Sequence, residues 1–504
     1  MSPTREARLR ARLNSKRGQR DCCGARYGRP QRPIMSKSSV KNWLQCLTCL
    51  LLCSSAPSIA ALPRQAALGV SLRADPGQGT VAPRIAVDEV VDSDLAKRTK
   101  LRPGDVLKAI DGRPVTSSAD VIGALSARRS GDPSKIEIER AGRRLVLSGQ
   151  YGSRPLERYV NGAARYGAVP FRGGELRDII VTPPGGARGP VVFLIQGYTC
   201  ASMETSGRES AHHQLFEGLL ARGISVYRIE KPQAGDSRGG PACGENDFAT
   251  ELAAFEAGYQ ALMKREDIAA DRIFLLGHSL GGVEAPLIAA RNPAPRGVAI
   301  FGAVARGWAD YMLDIVKYQP FLSRGADPAQ AEIEGEKLRS IIHRIYTQQE
   351  TPAAVASTNA DNARLLRDWL GWDGKDQLFG RHYRFWQQLS GTPLLPAWRD
   401  TRSNVLAVYG ESDMAAVDDE DHRLVAEVVN HYRPGTARFV LVPRTGHGMT
   451  VDGTATDVRA ANRAGPPARN GSFNAELIGL FGDWIEGAMS EPPVADRFSS
   501  ITKQ

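Results

Sequence analysis

Gly277-His278-Ser279-Leu280-Gly281-Gly282 follows the apolar run Ile273-Phe274-Leu275-Leu276 and precedes an Ala-rich segment with helical periodicity. The pattern G-x-S-x-G sets a serine on a tight strand-to-helix turn, where the backbone is strained and the flanking positions must be nearly free of side chain. Such a serine stands exposed at a helix start, beside backbone N–H groups able to bind a developing oxyanion. A Gly-rich chain can produce the motif by chance. The strand before it and the helix after it give the reading its weight, with Ser279 as a nucleophile.

Outward from this turn, short apolar runs alternate with helical patterns. Strands are expected at Leu176 to Val181, Val191 to Ile195, Ile224 to Ile229, Ile273 to Leu276, Val298 to Phe301, Val405 to Tyr409 and Phe439 to Val442. Helices are expected near Gln214 to Ala221, Asp247 to Lys264 and Val283 to Ala290. This alternation predicts an α/β fold with a mostly parallel sheet covered on both faces, and functional residues at the carboxyl ends of its strands. Two further motifs fall at such ends: Gly410-Glu411-Ser412-Asp413 and Thr445-Gly446-His447-Gly448. Asp413 competes with Glu411, Asp418 and Asp419 as the acid.

The order Ser279, Asp413, His447 resembles that of the α/β-hydrolase superfamily across roughly residues 166–490. The resemblance implies Ser279 as nucleophile, His447 as general base and then acid, and Asp413 orienting the imidazole. It also implies an oxyanion hole from the backbone N–H groups of Leu280 and Tyr198. Gln196-Gly197-Tyr198 takes the place of the family's His-Gly turn; the donor is backbone, so glutamine for histidine leaves the chemistry intact.

About 100 residues, between Val304 and Ser403, separate two expected strands and hold five of the seven tryptophans: Trp308, Trp369, Trp372, Trp386 and Trp398. Helical runs at Glu332 to Tyr346 and Asn362 to Leu370 make this a lid, suited to an apolar or aromatic substrate group or filled by its own core. The turn Arg228 to Ser237 resembles the Pro/Gly-x-Gly-x-Ser turn of lid-bearing hydrolases and serine aminopeptidase-like relatives; Glu230 and Lys231 read as a structural ion pair, with substrate contact as the alternative. Residues 452–472 read as a loop and Phe473 to Ala488 as a closing helix.

Residues 66–149 form a separate β-rich unit. Leu101-Arg102-Pro103-Gly104-Asp105-Val106-Leu107-Lys108-Ala109-Ile110-Asp111-Gly112 reads as turn, strand and hairpin, followed by an amphipathic helix with Val121, Ile122 and Leu125 on one face and the alternating strand Ile136 to Arg140. The block resembles a bacterial-type PDZ domain. The resemblance implies a groove where a peptide adds as a strand, its C-terminal carboxylate held at the loop Leu68-Gly69-Val70. Val90 to Lys100 departs from the usual small-residue turn. A PDZ domain with a purely structural role is the alternative. Residues 150–165 read as a linker.

The net charge is +10 over 504 residues. Ten basic and two acidic residues fall within 1–34, and Lys37 and Lys41 complete the excess, so 61–504 is balanced. Nothing draws that part to nucleic acid. From Met35 the chain reads as a signal peptide over 35–60: a basic start, an apolar run from Trp43 to Cys53, then Ser58-Ile59-Ala60. Residues 1–34 read as a basic extension. Cleavage after Ala60 leaves two of seven cysteines, Cys200 and Cys243, which predicts one disulfide and a periplasmic or extracellular location, without stable membrane insertion.

The reading is an exported serine hydrolase acting on carboxylic esters through an acyl-enzyme, with no cofactor and no metal. Its partners are a small ester and a protein C-terminus at the PDZ groove. Two alternatives stand: a serine peptidase whose PDZ groove tethers peptide C-termini, and a PDZ-based binding protein on a hydrolase scaffold.

Overall fold

The computed structural model describes residues 62–75, 84–204, 209–464 and 471–498. The basic extension and the signal-peptide reading lie outside these residues. Among the described residues, no helix is long and apolar enough to cross a membrane.

The first part of the chain is β-rich, with strands Ala66–Ala67 (β1), Val70–Asp75 (β2), Arg84–Val90 (β3), Val106–Ile110 (β4), Arg113–Pro114 (β5), Pro133–Arg140 (β6), Arg143–Gln150 (β7) and Gly152–Ser153 (β8). The sheet runs β2-β3-β4-β6-β7, with β5 paired to β4. In β6, Ile136 and Ile138 are buried while Glu137 and Glu139 are not, the period-2 pattern of a half-buried strand. With Ile85, Val87, Leu107 and Ile110 they form the small core. Within the stretch read as a linker, β8 pairs with β1. Val90 to Lys100 contains the helix Ser93–Thr99, opened by the Asp92 carboxylate accepting from the N–H groups of Asp94 and Leu95.

The larger sheet has eight strands: Ala163–Phe171 (β9), Gly174–Thr182 (β10), Val191–Ile195 (β11), Ser225–Ile229 (β12), Ile273–His278 (β13), Gly297–Phe301 (β14) and, after a lid hairpin of Gln377–Leu378 (β15) and Arg381–His382 (β16), Asn404–Gly410 (β17) and Ala437–Val442 (β18). Their order is β18-β17-β14-β13-β11-β12-β10-β9. Pairing is parallel from β18 to β12; β10 is antiparallel to both its neighbours. The edge strand β9 escapes sequence reading because Arg165, Gly167 and Pro170 break its apolar residues.

Both faces of this sheet are buried, which explains the continuous apolar runs. Val191, Phe193 and Ile195 pack into one core with the helices Phe248–Met263 and Gly281–Arg291. Val192 and Leu194 pack into the other, with Ala211–Ala221 and Glu476–Ser490. The insertion between β14 and β17 carries six helices, Trp308–Arg324, Pro328–Ile342, Pro352–Ser357, Ala360–Leu370, Tyr383–Ser390 and Leu394–Asp400. The last of these packs on Gly281–Arg291 and Glu420–Tyr432, so it belongs to the body rather than to a lid. Residues 452–472 are not all loop. They hold the helix Ala455–Ala464, which buries none of its residues and is rich in the strong helix formers Ala and Arg.

Cys200, after β11, and Cys243, after β12, form a disulfide across a separation of 43 residues. On the chain-entropy estimate it stabilises the fold by about 4 kcal/mol. The double variant Cys200→Ser/Cys243→Ser is expected to lose stability on that scale, read as a lower unfolding free energy from a urea titration, with a slope that rises as the uncrosslinked chain expands; an unchanged free energy contradicts this estimate.

Candidate active site

Ser279 directly follows β13 with φ of +57°, a left-handed conformation rarely adopted by serine. The crowding around it explains the glycines. A Cβ on Gly277 would stand 2.4 Å from the Gly281 carbonyl oxygen, and one on Gly281 would stand 2.1 Å from that of Ile195. The Ser279 N–H donates to the Phe301 carbonyl at 2.9 Å, which fastens the turn to β14. Leu280 then caps the helix Gly281–Arg291, and its N–H has no acceptor within that helix, while the Gly282 and Val283 N–H groups donate to the Ser279 and Leu280 carbonyls.

Asp413 and His447 meet although they lie on separate loops after β17 and β18. His447 Nδ1 donates to Asp413 Oδ2 at 2.8 Å and lies 3.0 Å from Oδ1. The Asp413 side chain is fully buried, and its Oδ1 also accepts from the N–H groups of Ala415 and Ala416, each at 2.9 Å. Burial opposes the carboxylate; the His447 charge and hydrogen bond and the Ala416 N–H outweigh it and hold Asp413 below the ordinary value. Burial likewise opposes charge on His447, but Asp413 prevails and raises the imidazole above its usual 6.5. The competing acids are engaged elsewhere: Glu411 accepts from the Arg444 N–H, Asp418 pairs with Arg306 and Asp419 with Arg423.

His278, which sequence reading left as the motif's variable position, donates from Nε2 to the His447 carbonyl at 2.9 Å. A carbonyl can only accept, so this fixes the His278 tautomer. Burial pushes its pKa down to about 3, so it is a neutral prop for the histidine loop. The G-H-S string contained this residue, but nothing in it signalled the contact. Gly302 is likewise visible only in three dimensions. Its φ is +62°, and a Cβ there would stand 2.5 Å from Asp413 Oδ2 and 2.8 Å from His447 Nδ1.

Ser279, Leu280, Tyr198 and Gly302 line one cavity of about 250 Å3, together with Val283, Trp308, Met312, Ile315, Phe379 and Trp386. Gly197 sits against the serine, where a Cβ would stand 2.9 Å from the Ser279 Cβ. Trp308 stacks on Trp386 at 5.6 Å between ring centroids, and Trp386 on Tyr198 at 5.9 Å. Of the five insertion tryptophans these two reach the cavity. Trp369, Trp372 and Trp398 pack within the surrounding core.

The match to the alpha/beta hydrolase family runs over residues 192–461, more than half of the 504-residue chain. The chain belongs to this family. A PDZ domain match covers residues 66–148. Esterase EstD of Thermotoga maritima is 29% identical over 164 residues, 32% of this chain and 38% of that protein. The match therefore spans well under two thirds of the relative's length. Among solved structures, the ferulic acid complex of Est1E from Butyrivibrio proteoclasticus is 17% identical, covering 59% of this chain and 96% of that one at a TM-score of 0.39. An esterase of Pyrococcus furiosus is 13% identical, with 67% and 96% covered and a TM-score of 0.40.

Other expected residues in this hydrolase fall as follows. Glu230 and Lys231 do not pair with each other. Glu230 is bonded to Ser202 and to the Asp236 N–H, while Lys231 pairs with Glu251. In the PDZ part, Leu68 is buried and Gly69 has φ of +76°. The Gly69 carbonyl accepts from the N–H groups of Val91 and Asp92, each at 3.0 Å, and the Leu68 carbonyl from Thr99 Oγ at 3.1 Å. The segment that departs from the family pattern therefore pins the loop; Val70 opens β2.

Gly302→Ala is expected to force Asp413 and His447 apart in an otherwise folded protein. The low-field proton resonance of the His447 Nδ1–H bond should disappear at acidic pH. Its persistence at wild-type shift means the pocket yields around a methyl group.

Proposed function

We propose that the chain is an exported serine hydrolase of carboxylic esters, with Ser279, His447 and Asp413 as its triad. The observation that carries the reading is the buried Asp413–His447 pair packed against Gly302, which lines one uncharged cavity together with the left-handed Ser279. With Nδ1 committed to Asp413, His447 Nε2 is the ring atom left to take a proton. Ser279 Oγ bonds to the acyl carbon as its proton passes to Nε2. The carbonyl oxygen becomes an oxyanion facing the N–H groups of Leu280 and Tyr198. The intermediate collapses, the ester C–O bond breaks, and the leaving alkoxide takes the proton from His447. Water then repeats the sequence on the acyl-enzyme, releasing acid and free serine.

None of the cavity-lining side chains is charged. An uncharged apolar or aromatic acyl group suits such a wall, since a charged group would be desolvated without a partner. This favours esters over the aminopeptidase alternative, because a substrate α-ammonium would require an acidic neighbour. Export is supported by the Cys200–Cys243 disulfide, a bond that persists in oxidising compartments. The PDZ domain is assigned to capture of a protein C-terminus at Leu68-Gly69-Val70.

Ser279→Ala should abolish both fluorophosphonate labelling and turnover of a short-chain aryl ester, with peptide amides untouched by either protein. A wild type that fails to label sinks the nucleophile assignment, and amide cleavage that weakens on deleting residues 66–149 transfers the reading to the tethered peptidase.

The base must be neutral to accept the proton, and Asp413 raises the His447 pKa. kcat/KM should therefore fall as pH drops through a midpoint above 6.5, the ordinary histidine value. Asp413→Asn should lower kcat by roughly 10,000-fold and move that midpoint to lower pH, the sign required when a carboxylate that favours the imidazolium is neutralised. A midpoint that stays in place argues for a different titrating group.

A further inference from the structure

A closed set of charges lies beneath the loop Gln196 to Ala201. Lys231 follows β12, Glu251 and Glu284 sit on the helices Phe248–Met263 and Gly281–Arg291, and Arg381 comes from β16 in the insertion. All four are at most 1% exposed. Lys231 Nζ donates to Glu251 Oε1 at 2.6 Å and to the Gly197 carbonyl at 2.5 Å. Arg381 donates to Glu251 Oε2 at 2.6 Å, to the Cys243 carbonyl at 3.1 Å and to the Tyr198 carbonyl.

Burying such a cluster is costly, and apolar side chains of similar volume often serve stability as well or better. Its placement supplies another reason. The Gly197 carbonyl and the Tyr198 N–H belong to one peptide unit, and in a trans peptide the two bonds point in opposite directions. A carbonyl held down by a buried ammonium turns its N–H the other way, toward the cavity that Tyr198 and Ser279 share. The cation also draws electron density toward the oxygen and makes the N–H a stronger donor. Burial raises the Glu284 carboxyl well above its ordinary value, so it is the weakest counter-charge to the two cations under the loop. Arg381 grips the next carbonyl, and the Cys200–Cys243 disulfide closes the loop's far end.

We propose that Lys231, held by Glu251, is a positioning residue that aims and polarises the Tyr198 N–H of the oxyanion hole, with Arg381 tying the same loop to the lid. The inference rests on Ser279 hydrolysis as described above.

Lys231→Met keeps the apolar stem and removes the cation. The readouts are kcat and KM for a short-chain aryl ester, and inhibition by a trifluoromethyl ketone, which forms a tetrahedral oxyanion on serine. A non-electrophilic amide of the same shape serves as the control ligand. We expect kcat to fall about 10- to 100-fold, less than loss of a whole donor, with KM within about threefold. The ketone should weaken by the same factor as kcat/KM while the amide binds as before. Lys231→Arg, which keeps the charge, should recover part of the loss. Wild-type kcat and ketone affinity in a folded Lys231→Met overturn the proposal, as does equal weakening of ketone and amide, which marks general damage to the pocket. If Lys231→Met does not fold, the comparison passes to Lys231→Gln, which removes the charge but keeps a polar group at the site; losses of ester turnover and ketone affinity with amide binding unchanged support the proposal, and unchanged values, or equal weakening of ketone and amide, overturn it. A wild type that neither labels nor binds the ketone instead fails the hydrolase reading itself, before any variant is compared.

Discussion

The left-handed backbone at Ser279 is the constraint to which the rest of the site is fitted. A strand that turns into a helix within two residues brings β13, β11 and the start of Gly281–Arg291 within van der Waals distance, and only glycine fits at 277 and 281. The same turn sets Ser279 and Leu280 on the cavity wall. Strain of this kind costs on the order of 1–3 kcal/mol and persists only where surrounding structure over-determines it. Here the hydrogen bond to Phe301 and the two buried faces of the sheet supply that determination.

Electrostatics divides the site into two regions with different tasks. On one side the fully buried Asp413 favours charge on His447, while His278 and His422 are kept neutral by burial, their pKa values pushed to about 3 and about 4. His422 accepts from the Ala303 N–H and His278 donates to the His447 carbonyl, so both work as shaped hydrogen-bonding groups rather than as charges. On the other side, Lys231 and Arg381 bring positive charge to the carbonyl face of the loop next to the serine. Between them the cavity wall is uncharged. Charge that develops on a reacting carbonyl therefore has few places to be stabilised other than the backbone donors.

The two folded parts are also joined by charge. Arg64, just ahead of the PDZ strands, pairs with Asp236 at 2.8 Å and Glu204 at 2.6 Å, and Arg177 shares Asp236 at 3.1 Å. Asp236 N–H is bonded to Glu230, one residue before Lys231. The stretch that precedes the PDZ domain is thus packed on the turn from which Lys231 projects.

Much of this was legible in the chain itself, because the signals are local. Apolar runs bounded by turn residues marked the six parallel strands, glycine spacing marked the elbow, and the order of Ser279, Asp413 and His447 at strand ends marked the candidate site. Cysteine placement pointed to the pair Cys200 and Cys243. What escaped had no local signal. The edge strand β9 breaks its apolar residues with Arg165, Gly167 and Pro170, the helix Ser93–Thr99 is short and depends on the Asp92 cap, and the exposed helix Ala455–Ala464 lies in a segment whose Gly and Pro content suggested a loop. Only the tertiary structure separated Asp413 from Glu411, Asp418 and Asp419, since that choice depends on which carboxylate reaches His447 across 34 residues. It alone broke the supposed pairing of Glu230 with Lys231 and gathered Lys231, Glu251, Glu284 and Arg381 from four segments. Periodicity and turn chemistry act over a few residues and are written in the sequence. The partner of a buried charge is set by the packing of distant elements, and only the folded chain decides it.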